Sequence, residues 1–283
     1  MKYETGMLAI LVLYKTKLKQ STSFLSLLAS IKNNNIRLSL LVYDNSPDFN
    51  QDILAEQYEN LNVLYQPDPL NGGVGKAYNY GAKLAGSMNL QWLLLLDQDT
   101  TFPIHSIDVY LSAIKKYPDE KLFAPIMAVN ERKIISPFHY KFMRGFSIKN
   151  IKAGINKLNR FSIINCGMCI NIDAFNRNGG YNELIKLDFS DHDFIKRYKA
   201  IVDEKFVVID LKIRHELSSE TKNSLDGDLI RFAYYLDGAG KIQSNFLQSL
   251  YLKINATLRA LKLSLQHRNL IFIKHISGHY LKG

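Results

Sequence analysis

Trp92-Leu93-Leu94-Leu95-Leu96-Asp97-Gln98-Asp99 is the stretch on which the fold turns. An apolar run of that length, bounded by polar residues, reads as a strand buried on both faces, and such burial marks a parallel sheet covered by helices. Asp97 and Asp99 then leave the strand together at its C-terminal end, the edge where open α/β sheets take their ligands. Two carboxylates that close repel one another unless a cation or a hydrogen-bond network compensates them. An all-oxygen donor set favours a hard ion such as Mg²⁺ or Mn²⁺. The tripeptide is therefore a candidate metal–diphosphate site; taken alone, it also reads as a solvated turn with one Asp capping the next helix.

Upstream, residues 7–14 read as a buried strand, 21–33 as a helix with Phe24, Leu27, Leu28 and Ile31 on one face, and 39–43 as a second strand. The second strand ends in the turn Asp44-Asn45-Ser46-Pro47. A third strand at 62–65 is followed by Asn71-Gly72-Gly73-Val74-Gly75 and a helix over 76–87. This alternation predicts an α/β fold with a mostly parallel, doubly wound sheet and helices on both faces. Right-handed crossovers gather Tyr14, Asp44, the glycine loop and Asp97/Asp99 along one crevice. The loop has neither the spacing of a dinucleotide fingerprint nor that of a P-loop. It does offer backbone N–H groups at a helix N-terminus, with Lys76 as a mobile cation near any diphosphate, although turn glycines at a helix start look the same.

Downstream, residues 129–159 mix Lys, Arg and the aromatics Phe138, His139, Tyr140, Phe142 and Phe146 without periodicity, which predicts a long excursion over the crevice. Residues 161–172 read as another buried strand carrying Cys166 and Cys169; with no second Cys or His pair, this C-x-x-C is structural. A helical turn at 173–177, the turn-rich 178–183, a helix opening at Asp188 to Asp193 and running through Arg197, and a strand at 206–213 just before His215 complete the core. Acids in a first helical turn are ordinary, and a lone His after a strand is commonly structural.

The 283 residues, 47% hydrophobic, suffice for one large domain at 1–240, with halves of about 1–127 and 128–240, and a C-terminal segment at 241–283. A net charge of +10 points to an anionic partner, and from Lys241 onward there is no Asp or Glu. Leu247, Leu250, Ile254, Leu258, Leu261 and Leu265 recur at helical spacing between Lys253, Arg259 and Lys262. This amphipathic stripe either packs on the domain or a second subunit, making a homodimer, or lies in an anionic membrane surface. No apolar run has the roughly 18 to 20 residues of a membrane span and the first run is too short for a signal peptide, so a cytoplasmic protein is expected, peripheral at the inner face of the plasma membrane if the stripe meets lipid. No recognised nucleic-acid-binding motif accompanies the basic charge.

In their order and spacing, Leu11-Val12-Leu13-Tyr14, Tyr43-Asp44-Asn45-Ser46, Asn71-Gly72-Gly73, Leu95-Leu96-Asp97-Gln98-Asp99, Gly179-Gly180-Tyr181-Asn182-Glu183, Asp188 to Asp193 with Arg197, and His215 resemble family 2 glycosyltransferases. These are inverting enzymes with the GT-A fold; the resemblance is closest to their bacterial rhamnosyltransferase-like branch. It implies that Tyr14 and Asp44 hold the base of a nucleotide-sugar donor, that Asn71, Gly72 and Lys76 lie against the nucleotide, and that Asp97, with Gln98 in the same motif, faces the ribose or donor sugar. Asp99 becomes the ligand of Mg²⁺ or Mn²⁺, His215 a second ligand or a phosphate contact, and Asp191 the general base, ahead of Asp193 and Asp188. The acceptor implied is a lipid-linked or growing cell-surface polysaccharide. The chain departs from the branch at Cys166, Asn182, Ser218-Ser219 and Tyr234 to Gly238. Two other readings are a sugar-phosphate nucleotidyltransferase, for which Tyr14-Lys15-Thr16-Lys17 is a poor loop, and a non-enzymatic nucleic-acid-binding protein.

Overall fold

A computed structural model describes residues 3–32, 36–48, 53, 57–130, 133–215 and 224–280; Ser218 and Ser219 lie outside them. In chain order the elements are β1 (Tyr3–Leu13), α1 (Thr22–Lys32), β2 (Ile36–Asp44), β3 (Leu61–Pro67), α2 (Val74–Ser87), β4 (Trp92–Asp97), β5 (Thr100–Thr101), α3 (Ser106–Lys116), β6 (Leu122–Asn130), β7 (Lys133–Lys141), β8 (Arg144–Ile148), β9 (Gly154–Lys157), β10 (Cys169–Asn171), α4 (Ile172–Arg177), α5 (Ser190–Ile201), β11 (Lys205–His215), α6 (Leu225–Lys241), α7 (Phe246–His267) and α8 (Ile271–Tyr280).

The main sheet runs β3-β2-β1-β4-β10-β6-β11-β5. β1 pairs in parallel with both β2 and β4, β2 with β3, and β6 with β11. β10 enters antiparallel between β4 and β6, so those two still point the same way. Alternation along β1 divides the core. Met7, Ala9, Leu11 and Leu13 meet Phe24 and Leu27 of α1 and Ile107 and Tyr110 of α3. Leu8, Ile10 and Val12 meet Ala77 and Ala82 of α2, Phe175 of α4 and Phe194 of α5. Leu93 to Leu96 are all wholly buried, because β4 is covered on both faces, and each contributes roughly 1.5–3 kcal/mol of burial.

Two expectations are corrected. The described residues within 129–159 include antiparallel strands rather than an unpatterned excursion: β7 pairs with β6 and β8, and β9 with β11. Register shifts along β6–β7 and β7–β8 break the two-residue alternation that would have marked them. The β7–β8 turn is Phe142-Met143, both at positive φ (53° and 56°), a conformation usually given to Asn-Gly. Asn255 Nδ2 of α7 donates to Phe142 O at 2.8 Å, and Met143 is buried, so tertiary contacts hold what local propensity opposes. Within 161–172 only Cys169–Asn171 is strand; Gly167, at φ +79°, breaks the run.

The C-terminal helices share a core with the domain. Phe232 and Leu236 of α6 pack with Ala256 and Ala260 of α7 and Phe272 of α8. The face of α7 that packs is Leu252, Ala256, Ala260 and Ser264, whereas the leucine stripe does not pack on the domain and is exposed along its whole length.

Candidate active site

The Asp97–Asp99 turn is fixed from below by α1. Ser23 Oγ donates to the carbonyls of Asp97 and, at 2.9 Å, Thr100, and accepts the Thr100 N–H at 3.0 Å; Ser21 Oγ donates to Gln98 O at 2.8 Å. The Gln98 side chain accepts the Tyr14 N–H at 2.8 Å, which ties the end of β1 to the turn. Two residues later the chain forms β5, whose Thr100 and Thr101 pair antiparallel with His215 and Arg214. That short ladder brings His215 to the acids: single ligand atoms of Asp97, Asp99 and His215 all lie within 4.8 Å of one another. The Thr100 hydroxyl sits 2.8 Å from His215 Nδ1 and orients the ring, the role that outer-shell partners play for metal-ligating imidazoles. Two carboxylates and an imidazole suit a divalent cation.

Burial pushes the Asp97 carboxyl up to about 6; the charges of Asp99 and Asp191 push the same way, and His215 and a hydrogen bond from Tyr78 oppose them. Cys166 lies in this shell, with its sulfur accepting the Asp97 N–H at 3.4 Å and 3.1 Å from Thr100 Oγ1, as a serine hydroxyl would. Both cysteines are free and buried, and burial holds their thiols protonated, so the C-x-x-C is structural here.

Asp44 ends β2 but is wholly enclosed: Oδ1 accepts the Ser46 N–H at 3.0 Å and Oδ2 the Tyr65 hydroxyl at 3.0 Å. Tyr14 is exposed at the end of β1. In the glycine loop Asn71 has φ 50°, and a Cβ on Gly72 would meet Lys76 Cδ at 2.4 Å and Asp68 Oδ2 at 2.5 Å. Asp68 is the residue missed by sequence reasoning. Its Oδ2 receives Lys76 Nζ and Tyr43 OH, both at 2.9 Å, and the Gly72 N–H at 3.2 Å. Burial works to raise the Asp68 carboxyl, but those partners together hold it below the ordinary value. Lys76 is thus held by Asp68, not free above the loop.

Across the crevice, Asn79 of α2 binds the Tyr181 backbone in both directions (2.8 and 3.0 Å), and Tyr181 OH donates to Asn165 at 2.7 Å. Asn165 in turn donates to Ser190 Oγ at 3.3 Å, which positions the first turn of α5. Asp191 there is half-buried and accepts the His192 N–H on Oδ1 at 2.8 Å. Asp193 is instead paired with Arg197 at 2.9 Å and buried, a structural role. Asp188 lies 3.7 Å from Arg259. The unforeseen member is His192, whose ring packs on Tyr140 (4.3 Å) and Phe138 (5.6 Å) of the β7–β8 hairpin.

The open mixed α/β sheet with its covering helices matches the fold of GT-A glycosyltransferases. TarS from S. aureus aligns at 17% identity with a TM-score of 0.54, over 89% of this chain and 42% of that one. Its 1–349 fragment in complex with UDP-GlcNAc aligns at 14% and 0.53, over 92% and 72%. The mannosyltransferase PcManGT from Pyrobaculum calidifontis, in complex with GDP-Man and Mn²⁺, aligns at 11% and 0.55, over 98% and 75%. This chain therefore spans less than half of that TarS chain, and at these identities the likeness is one of fold. No curated protein sequence matches the chain. In sequence, the profile described as glycosyl transferase family 2 matches residues 21–176, the run from α1 through nearly all of α4 that carries the glycine loop and the Asp97–Asp99 turn. Since that is more than half of its length, the chain belongs to glycosyl transferase family 2.

Proposed function

We propose that this protein is a metal-dependent, inverting glycosyltransferase that moves a rhamnosyl or hexosyl group from a dTDP- or UDP-sugar to a lipid-linked or growing cell-surface polysaccharide. The observation that carries the reading is the convergence of Asp97, Asp99 and His215 at one sheet edge, with the Asp191 charge felt at Asp97 from the facing helix. The nucleotide sugars and Mn²⁺ named in the complexes of its structural neighbours support the donor class. Mg²⁺ or Mn²⁺ held by Asp99 and His215 would supply positive charge to the departing diphosphate.

The remaining roles belong to the chain itself. Asp191 takes the proton from the acceptor hydroxyl as it attacks the anomeric carbon, and a carboxylate in that role suits direct displacement with inversion. Tyr14 stacks on the base and Asp44 orients the strand end beneath it. Asn71, Gly72 and Lys76 lie along the nucleotide, and Asp97, with Gln98 bracing the turn, faces the ribose or donor sugar. Residues 1–240 carry catalysis and 241–283 dock the enzyme on an anionic membrane.

Calorimetric titration of UDP, dTDP and GDP with Mn²⁺ or Mg²⁺, then with chelator, tests the reading. One nucleotide should bind at micromolar concentration and lose that binding with chelator. Absence of binding for all three under every metal condition would overturn it.

A further inference from the structure

The first turn of α5, which carries Asp191, borders a cavity of about 660 Å³ lined by residues of the β7–β8 turn, α6 and α7. Its size is that of a small-molecule site. Arg144, Arg231, Arg259 and Lys262 line it, against two carboxylates, Asp188 and Asp228. Asp228 Oδ2 lies 2.8 Å from His267 Nε2, and Asp188 Oδ1 lies 3.7 Å from Arg259, while its buried Oδ2 has no hydrogen-bond partner among the described residues. The four lining cations outnumber the two lining acids. Arg259 is held rigid, its guanidinium 4.4 Å from the centre of the Tyr235 ring, so its fork of donors is preorganised. His192, the neighbour of Asp191, lines the same cavity, and Leu258 joins it to the exposed stripe of α7.

We propose that this cavity is an acceptor subsite that binds a phosphate or diphosphate group carried by the acceptor, presenting the attached sugar to Asp191. The inference rests on the glycosyl-transfer reading for the word acceptor, but not for the anion. Planar guanidinium groups recognise phosphate oxygens in pairs. The donor diphosphate is not the occupant, because none of Asp97, Asp99 and His215 lines the cavity.

The test is binding of inorganic pyrophosphate to the full chain in EDTA, where metal-dependent nucleotide binding is silent. Pyrophosphate should bind saturably, and Arg144→Ala with Lys262→Ala, both exposed and removable without opening the core, should weaken it by about tenfold or more. The same variant should keep the metal-dependent nucleotide affinity of the parent. Arg259→Lys, which keeps the charge and loses the fork, should weaken pyrophosphate less than the double variant. Two further ligands identify the source: tighter binding of a short alkyl diphosphate than of pyrophosphate marks a lipid-linked acceptor, and competition by glycerophosphoglycerol marks a phosphodiester polymer. Pyrophosphate binding that is absent, or unchanged in the double variant, overturns the subsite. Loss of nucleotide binding in the parent, with pyrophosphate binding intact, overturns instead the transferase reading and the acceptor role with it.

Discussion

Asp97 governs how the crevice meets a cation. Burial, reinforced by Asp99, raises its carboxyl to about 6 in the folded chain from 3.8. The folded state then holds this proton more tightly than the unfolded chain, so the group's favourable contribution is present below the unfolded value and is lost as pH rises through about 6. An ionised Asp97 strengthens the hold of Asp99 and His215 on a divalent ion beside it, so that ion's affinity should fall by up to about tenfold per pH unit below 6. Titrations of Mn²⁺ in the presence of nucleotide between pH 5 and 7.5 check this; a flat affinity across that range would refute it. Roles separate by substitution as well. Asp191→Asn should lower turnover by about 10² to 10⁴ with nucleotide affinity nearly unchanged. Asp99→Asn should weaken metal-dependent nucleotide binding by more than the roughly 10–100-fold typical of an outer-shell change. Near-normal turnover in Asp191→Asn would remove it as the base. Asp97 and Asp99 were legible because a strand end and a two-residue spacing sufficed. His215 needed the Thr100 pairing, which two residues of β5 do not announce, and Asp68 is a single acid whose partners Tyr43 and Lys76 come from separate elements.

Helices and strands are placed by close backbone contacts that side-chain patterns do not reveal. Gly238 lies within α6, where alanine would ordinarily be favoured by up to about 1 kcal/mol. Here an added Cβ would stand 2.4 Å from the Asp188 carbonyl and 3.3 Å from the Phe189 ring. The clash wins, since the obstructing atom is backbone. Gly238→Ala should destabilise the fold by roughly 1–3 kcal/mol in urea unfolding and reduce transfer through displacement of the α5 turn, with metal-dependent nucleotide affinity preserved. A variant as stable and as active as the parent would show that α6 does not set the position of Asp191. The same contact gives a physical reason for one departure of this sequence, the glycine that closes Tyr234 to Gly238. The β–α alternation of the first half was legible because both-face burial leaves plain apolar runs. The β7–β8 hairpin was not, because a Phe-Met turn at positive φ depends on Asn255 and on burial of Met143, contacts more than 110 positions away in sequence.

At the scale of the molecule, the unresolved tension is the outer face of α7. Leu247, Leu250, Ile254, Leu258, Leu261 and Leu265 are each at least 44% exposed, and Phe246 at its start is 87% exposed. Soluble surfaces seldom leave so continuous an apolar strip uncovered. From Leu247 to Leu265 the stripe advances five turns at the 3.6-residue period of a straight helix, roughly 27 Å, and does not follow the 3.5-residue seam of a left-handed supercoil. A straight strip suits a flat surface. Lys253 and Lys262, both exposed, flank it on opposite sides, an arrangement that lets long cationic side chains reach phosphate headgroups while the leucines enter the acyl boundary. Among the described residues no helix is long and apolar enough to cross a membrane, so the contact proposed is peripheral. The protein should co-sediment with vesicles of phosphatidylglycerol and phosphatidylcholine, less with phosphatidylcholine alone, and less again as salt is raised. Replacing Leu247, Leu250 and Leu261 with Ser should cost about 1 kcal/mol each and weaken vesicle binding on the order of a hundredfold, while nucleotide affinity holds. Absence of vesicle binding together with a concentration-dependent dimer that the same substitutions dissolve would assign the stripe to a second copy of the chain. Sequence could locate this face but not its exposure, because Leu252, Ala256, Ala260 and Ser264 form a smaller, less conspicuous face that makes the helix's contacts with α6 and α8.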